Sequence, residues 1–172
     1  MKKKLAQTIR DIPDFPKKGI LFKDITTLLN NPQAFKSAID EMAKILKGKR
    51  VDYIVAAEAR GFIFGGALAY KLKCGFVPVR KPGKLPAATY THTYALEYGE
   101  DSLQIHRDAF KPGARVLVID DLLATGGTAR ALVKLAKRLK GKIVGVLFLI
   151  ELEFLRGRQK LDRYPVYSLI KF

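Results

Sequence analysis

The stretch VLVIDDLLATGGTARALVKLAKRL, residues 116–139, sets two adjacent carboxylates, Asp120 and Asp121, just before a short glycine loop. Within residues 124–128 (ATGGT), Gly126 and Gly127 carry no Cβ, so backbone N–H groups can approach an oxyanion closely. The amphipathic segment that follows brings the partial positive charge of a helix N-terminus, and Thr125 and Thr128 add hydroxyl donors. Several charge-assisted hydrogen bonds of about 1.5–3 kcal/mol each would hold a phosphate monoester here without any lysine. The loop matches neither G-x-x-x-x-G-K-[ST] nor G-x-G-x-x-G, which sets aside a nucleoside-triphosphate P-loop and a dinucleotide fold. The carboxylates repel a phosphate and suit hydroxyl donors or a divalent cation. A phosphate beside two vicinal hydroxyls describes a ribose 5-phosphate. Against this stands a plainer reading, since Asp and Gly are common in strand-to-helix turns, one Asp capping and the other solvated.

The elements that must position these groups follow from periodicity. Asn31 and Pro32 read as an N-cap and first helical position, and Phe35, Ala38, Ile39, Met42 and Leu46 follow at helical spacing before Gly48. Strands are expected at 51–57, 76–79, 116–119, 143–150 and 166–170, with helices at 61–72, after the glycine loop to 140, and near 152–161. A short helix at 2–10 is broken by Pro13 and Pro16. Residues 80–88 (RKPGKLPAA) form a basic loop, and 89–95 pairs with 103–106 as a hairpin around 97–101. Strands alternating with helices imply an α/β fold, a central mostly parallel sheet flanked by helices, with ligands beyond the carboxyl ends of the strands. Asp120 and Asp121 stand at one such end and Glu58 and Arg60 at another.

The chain has 172 residues, enough for one domain with a sizeable core, and no linker or repeat divides it. The longest near-continuous apolar stretch, 143–150, suits a buried strand and is too short for a membrane span. A single cysteine, Cys74, allows no internal disulfide or zinc cluster, so a cytoplasmic location is expected. The net charge of +16 raises the question of nucleic acid, but the cations are scattered in runs no longer than three. On the last long helix, Leu132, Leu135, Ala136 and Leu139 form one stripe while Lys134, Lys137 and Arg138 lie off it, a solvated face. No specific nucleic acid and no membrane partner are expected; the charge should draw small anionic substrates into clefts.

With its neighbours, the loop resembles the phosphoribosyl pyrophosphate signature of type I phosphoribosyltransferases, and most closely the adenine-using members. The resemblance spans nearly the whole chain: DFPKKGILFKDITTLL at 14–29, EARGFIFG at 58–65, RKPGKLP at 80–86, LEYGED at 96–101 and IELEFLRGRQKL at 150–161. It implies the type I fold with a small N-terminal hood at 1–30, a basic and flexible catalytic loop at 80–102, and a homodimer. The implied reaction moves ribose 5-phosphate from phosphoribosyl pyrophosphate to N9 of adenine, giving AMP and diphosphate with Mg2+. Asp120, Asp121, Ala124, Thr125, Gly126, Gly127 and Thr128 would then bind the phosphoribosyl group. Ala59, Arg60, Arg80, Lys81 and Lys84 would meet diphosphate, and Leu21, Phe22 and Lys23 would meet adenine. Magnesium would be held mainly by substrate oxygens, with the aspartates near it or bridged by water.

The resemblance also singles out Glu97 as the catalytic residue, a carboxylate that stabilises the positive sugar carbon or manages a purine proton. Its loop would close over the substrates to exclude water, with Tyr94 and Tyr98 packing the lid. In related enzymes the peptide corresponding to Glu58–Ala59 is cis. The chain departs from the familiar pattern at Glu58 (Asp is common), Ala59 (Ser) and Lys23 (Arg), which loses a planar stacking group. Enzymes for 6-oxopurines carry Asp where Ala124 stands, so adenine is favoured over hypoxanthine; xanthine relatives end their loop unlike TGGT. A nucleic-acid-binding regulator that senses phosphoribosyl pyrophosphate is the remaining alternative, and it would need an added domain. His92 and His106 fit no metal spacing and read as surface or packing residues.

Overall fold

In the computed structural model, residues 2–95 and 99–172 are described. The chain runs α1 (Lys2–Ala6), β1 (Arg10–Pro13), β2 (Leu21–Asp24), α2 (Thr26–Leu29), α3 (Pro32–Ile45), β3 (Tyr53–Ala57), α4 (Arg60–Leu72) and β4 (Gly75–Val79). It continues through β5 (Thr89–Ala95), β6 (Glu100–His106), β7 (Arg115–Leu123), α5 (Gly127–Arg138) and β8 (Lys142–Glu151). Two 3-10 turns (Glu153–Leu155 and Gly157–Leu161) and β9 (Val166–Lys171) complete it. The central sheet has five strands in the order β4-β3-β7-β8-β9, all paired in parallel. The α/β architecture expected from the alternation is therefore the one observed.

The apolar periodicity divides across the two faces of this sheet. Ile54, Ala56, Leu117 and Ile119 pack with Leu28, Ala38, Met42, Phe64 and Leu68, so α2, α3 and α4 cover one face. Val55, Ala57, Val116 and Val118 pack with Leu132, Leu135 and Ala136 of α5 and with Leu103 and Ile105 of β6. Alternate residues of each strand thus feed opposite cores, as a pleat requires. Asn31 caps α3 as expected, its side-chain oxygen accepting from Gln33 N at 3.1 Å and Ala34 N at 3.0 Å. Lys134, Lys137 and Arg138 are exposed on the outer side of α5.

Four expectations are corrected. The first helix ends at Ala6, and Arg10 begins a strand that pairs with β2 to make a separate two-stranded sheet. Asp24 anchors this ladder by taking Arg10 in a 2.5 Å ion pair. In the hairpin, β6 starts at Glu100 and not at Leu103, and its ladder with β5 runs from Ala95 opposite Glu100 to Thr89 opposite His106. The strand placed at 116–119 extends through Leu123, because β8 goes on pairing with it after β3 stops at Ile119. Asp120 and Asp121 therefore lie inside a strand and not at its end. Finally, 152–161 is not an α-helix; Arg156 takes a positive φ of 52°, which divides the segment into two 3-10 turns.

Candidate functional site

The site forms where the sheet changes direction. β3 leads into α4 on one face and toward β4, whereas β7 leads into α5 on the other face and toward β8. Adjacent parallel strands whose following helices leave to opposite faces open a crevice at their carboxyl ends. Here the crevice lies between Glu58–Ala59, a cis peptide, and Asp120–Asp121.

The two aspartates differ in company. Asp121 is only 5% exposed and receives Arg60, Nε to Oδ2, at 2.8 Å. Asp120 is partly buried and its Oδ1 accepts the Asp121 N–H at 2.9 Å. Burial, and after it the adjacent Asp121 charge, pushes the Asp120 carboxyl well above its ordinary value. Burial raises Asp121 too, and Arg60 works against that rise. Gly61 makes room for the pair, since a Cβ there would stand 2.8 Å from Asp120 Oδ1. Such desolvated acceptors favour neutral hydroxyl donors, and the plain reading of a solvated Asp is excluded for Asp121.

Beyond the strand, the glycine loop turns into α5 without any side-chain cap, leaving the first helical N–H groups open to a ligand. Gly126 adopts φ +81°, a conformation that a side chain resists. It also lies on Gly157, whose carbonyl oxygen occupies the space of a Gly126 Cβ; in turn a Cβ on Gly157 would overlap the Ala124 carbonyl. The second 3-10 turn is thus a shelf under the loop. That shelf is fixed by Arg158, which grips buried Glu151 at 2.9 and 2.6 Å, while Ser168 donates to the same carboxylate at 2.5 Å.

The basic loop is held from two sides. Glu58 accepts Arg80 Nε at 2.8 Å and the Lys81 N–H at 2.7 Å. Gln104 of β6 bonds the Arg80 backbone in both directions, and its side chain accepts from Gly83 N at 3.2 Å. Lys81 pairs with Asp101, and Arg80 Nη1 donates to the Lys84 carbonyl at 3.1 Å. Tyr94, on β5, completes the circuit: its hydroxyl lies 3.3 Å from Thr128 Oγ1 and 3.1 Å from Asp101 Oδ2. On the opposite side, the Arg60 guanidinium sits 5.5 Å from the centre of the Phe22 ring.

Contacts therefore link the β2 segment, Arg60, the aspartate pair, the amide loop, the hairpin and the basic loop into one ring of neighbours. Of the residues expected to meet a base, Leu21 is half exposed and Phe22 faces Arg60, but the Lys23 ammonium is engaged elsewhere. It is 2.7 Å from Asp11 and 3.9 Å from the centre of the Phe172 ring. Only its backbone is left for a ligand. Glu97 and Tyr98 fall outside the described residues. His106 Nε2 accepts from Ala87 N at 3.4 Å, a packing role.

Sequence reasoning passed over Glu58, Gly157 and Asp101 as functional supports. Glu58 holds Arg80 and Lys81 from 22 and 23 residues away, and Asp101 holds Lys81 from 20 residues away, pairings that no local spacing encodes. The glycine inside an otherwise helical stretch was the available signal for Gly157.

The chain matches the phosphoribosyl transferase domain family over residues 24–172. The adenine phosphoribosyltransferase of Brachyspira hyodysenteriae is 59% identical over 168 residues, 98% of this chain and 99% of that protein. The crystal structure of the adenine phosphoribosyltransferase from Thermoanaerobacter pseudethanolicus is similar with a TM-score of 0.98 at 57% identity, covering 100% of both chains. The Saccharomyces cerevisiae enzyme, complexed with an imino-altritol bisphosphate and adenine, gives 0.93 at 40% identity over 98% of each.

Two outcomes follow from the geometry. Gly157→Ala forces the shelf against the Ala124 carbonyl and should weaken binding of ribose 5-phosphate at least about tenfold by calorimetry, a cost of about 1.4 kcal/mol. An unchanged affinity would show that the shelf does not set the loop. Asp120→Asn should stabilise the fold. A carboxyl whose folded pKa is raised destabilises the native state at pH values above its unfolded pKa, and not below it. The amide keeps the acceptor and removes the charge, so the melting temperature at pH 7 should rise by about 2 °C or more, with the difference vanishing near pH 3.

Proposed function

The chain belongs to the phosphoribosyl transferase family and, within it, to the adenine phosphoribosyltransferases, and from that membership we propose how its residues divide the work. The reaction moves ribose 5-phosphate from phosphoribosyl pyrophosphate to N9 of adenine and yields AMP and diphosphate. The observation that carries the assignment of roles is the ring of contacts, which sets anion donors, paired carboxylates and an aromatic strand around one crevice.

In this reading the N–H groups of residues 125–128 and the Thr125 and Thr128 hydroxyls hold the 5-phosphate. Asp120 and Asp121 accept from the ribose hydroxyls, which fixes the sugar with C1 toward Arg60 and the basic loop. Arg60, Arg80, Lys81, Lys84 and the Ala59 N–H receive the diphosphate. Cations fixed where negative charge accumulates lower the barrier as the C1–O bond breaks, because little reorganisation is needed. Adenine lies along Leu21, Phe22 and the Lys23 backbone, with the Phe22 ring for stacking. The Saccharomyces cerevisiae enzyme, which holds an imino-altritol bisphosphate and adenine together, supports this pairing of an anion grip with a base site. To Glu97 this reading gives the task of stabilising the positive sugar carbon or managing the purine proton.

Magnesium fits this donor set as a companion of the substrate. Among the described residues no three His, Cys, Asp or Glu side chains converge as a metal cage, and Asp121 is already paired with Arg60. Asp120 and Asp121 would hold the ion through water, most of its oxygen shell coming from ligand. Bound there, it neutralises diphosphate charge. The same reading extends to a homodimer, supported by the exposed apolar side chains of Tyr70 (90% exposed) and Ile63 (39% exposed) on α4. It also extends to a cytoplasmic location. The single half-buried cysteine supports that location, and no helix among the described residues is long and apolar enough to cross a membrane.

Supplied with phosphoribosyl pyrophosphate, Mg2+ and adenine, hypoxanthine, guanine or xanthine in turn, the protein should form nucleotide from adenine at least about a hundredfold faster than from the others. Equal turnover of a 6-oxopurine contradicts the base site. Glu97→Ala should lower kcat by roughly 10²–10³ while substrate affinity is largely kept, and a kcat within twofold of native removes Glu97 from the chemistry.

A further inference from the structure

Lys81 is not waiting free for its ligand. Its ammonium is paired with Asp101, a residue on the return strand of the hairpin, while the Lys81 backbone N–H is taken by Glu58. Asp101 accepts from two donors besides Lys81: Tyr94 donates its hydroxyl to Oδ2 at 3.1 Å, and the Ser102 N–H donates to Oδ1 at 2.8 Å. The Tyr94 phenol keeps its proton, since burial, and after it the charges of Asp101 and Asp120, push its pKa up against the Thr128 hydrogen bond. A single proton on that hydroxyl, given to Asp101, leaves Thr128 as the donor in the contact between Thr128 and Tyr94.

We propose that Asp101 is a displaceable counter-ion that parks Lys81 in the ligand-free chain, and that Tyr94 is the positioning residue that lets Asp101 release it. The inference rests on the placement of Lys81 at the diphosphate. An arriving diphosphate offers several anionic oxygens in exchange for one carboxylate, so the ammonium transfers. Asp101 is then left facing the Tyr94 hydroxyl and the Ser102 N–H and is not stranded as a bare charge. With the Lys81 and Asp101 side chains 48% and 21% exposed, the pair is partly screened by water, which keeps it weak enough to break. Asp101 therefore sets the affinity for phosphoribosyl pyrophosphate and for the departing diphosphate while touching neither. The burial of its carboxyl works to raise its pKa, and the bonds from Lys81, Ser102 and Tyr94 outweigh that and lower it, in keeping with an anion held in place.

The distinguishing signature is a gain. In the full chain with Mg2+ and adenine, Asp101→Asn should lower the KM for phosphoribosyl pyrophosphate and the inhibition constant of diphosphate together, by about three- to fivefold, with less effect at high salt. Damage to the fold does not tighten binding, so a structural role alone would not give this sign. Tyr94→Phe should raise both constants, and by clearly less in the D101N background, where no carboxylate is left to release. If D101N fails to fold, Asp101→Ser tests the same loss of charge. An Asp101 variant whose KM is unchanged or higher overturns the proposal. Lys81→Ala separates the two levels. If that change leaves diphosphate inhibition as in the native chain, Lys81 is not at the diphosphate and the parent assignment falls with the proposal. If it weakens inhibition while D101N changes nothing, the parking role alone falls.

Discussion

Between the carboxyl ends of β3 and β7 the chain leaves a gap, and it does so because the helices after those strands depart to opposite faces of the sheet. β7 is paired on both sides only as far as Ile119; past that residue β8 alone supports it. One flank of the strand is thereby released at Asp120, where the carboxylates begin. Every other part of the site is an answer to that opening. Arg60, at the start of α4, crosses the gap to Asp121, and the amide loop is the turn that takes the chain from β7 to α5.

Two costs are built into this arrangement. Adjacent carboxylates in a desolvated strand repel one another and lose hydration, so the native state is less stable than with amides in their place. Arg60 offsets part of that cost. The second is crowding, for the loop and the 3-10 shelf meet backbone to backbone at Gly126 and Gly157, where no Cβ can be inserted. Close approach of this kind holds the amide N–H groups in one arrangement before a ligand arrives, which is what electrostatic preorganisation requires. Rigid backbone, not long side chains, bounds the phosphate end. The diphosphate end is the reverse, built of Arg80, Lys81 and Lys84 steered by Glu58, Gln104 and Asp101.

That division explains what could be read from the residues alone. The amide loop was legible because its parts are contiguous: strand, two glycines, two threonines and an amphipathic helix follow one another within residues 116–139. The alternation of strands and helices carried the sheet and its helices in the same way, and the apolar stripe of α5 is buried where its spacing put it. The shelf at Gly157 was not legible as such, since a helix-like spacing at 152–161 conceals a positive φ at Arg156. Long-range partners were missed for a physical reason too. Whether Glu58 holds Arg80, or Lys23 turns to Asp11 and Phe172, depends on strands brought together only by folding. Identity with relatives fixes the activity but leaves such neighbours to be worked out in this chain.

The central claim is that one crevice holds a sugar phosphate by amide N–H groups at its anionic end and by Asp120 and Asp121 at its hydroxyls. A crystal structure of the chain with ribose 5-phosphate examines both halves together. The expected result places phosphate oxygens within about 3 Å of the N–H groups of residues 125–128 and the C2 and C3 hydroxyls within hydrogen-bond reach of the paired aspartates. Density for the phosphate on Arg80, Lys81 and Lys84, with the loop at Gly126 empty, would contradict it.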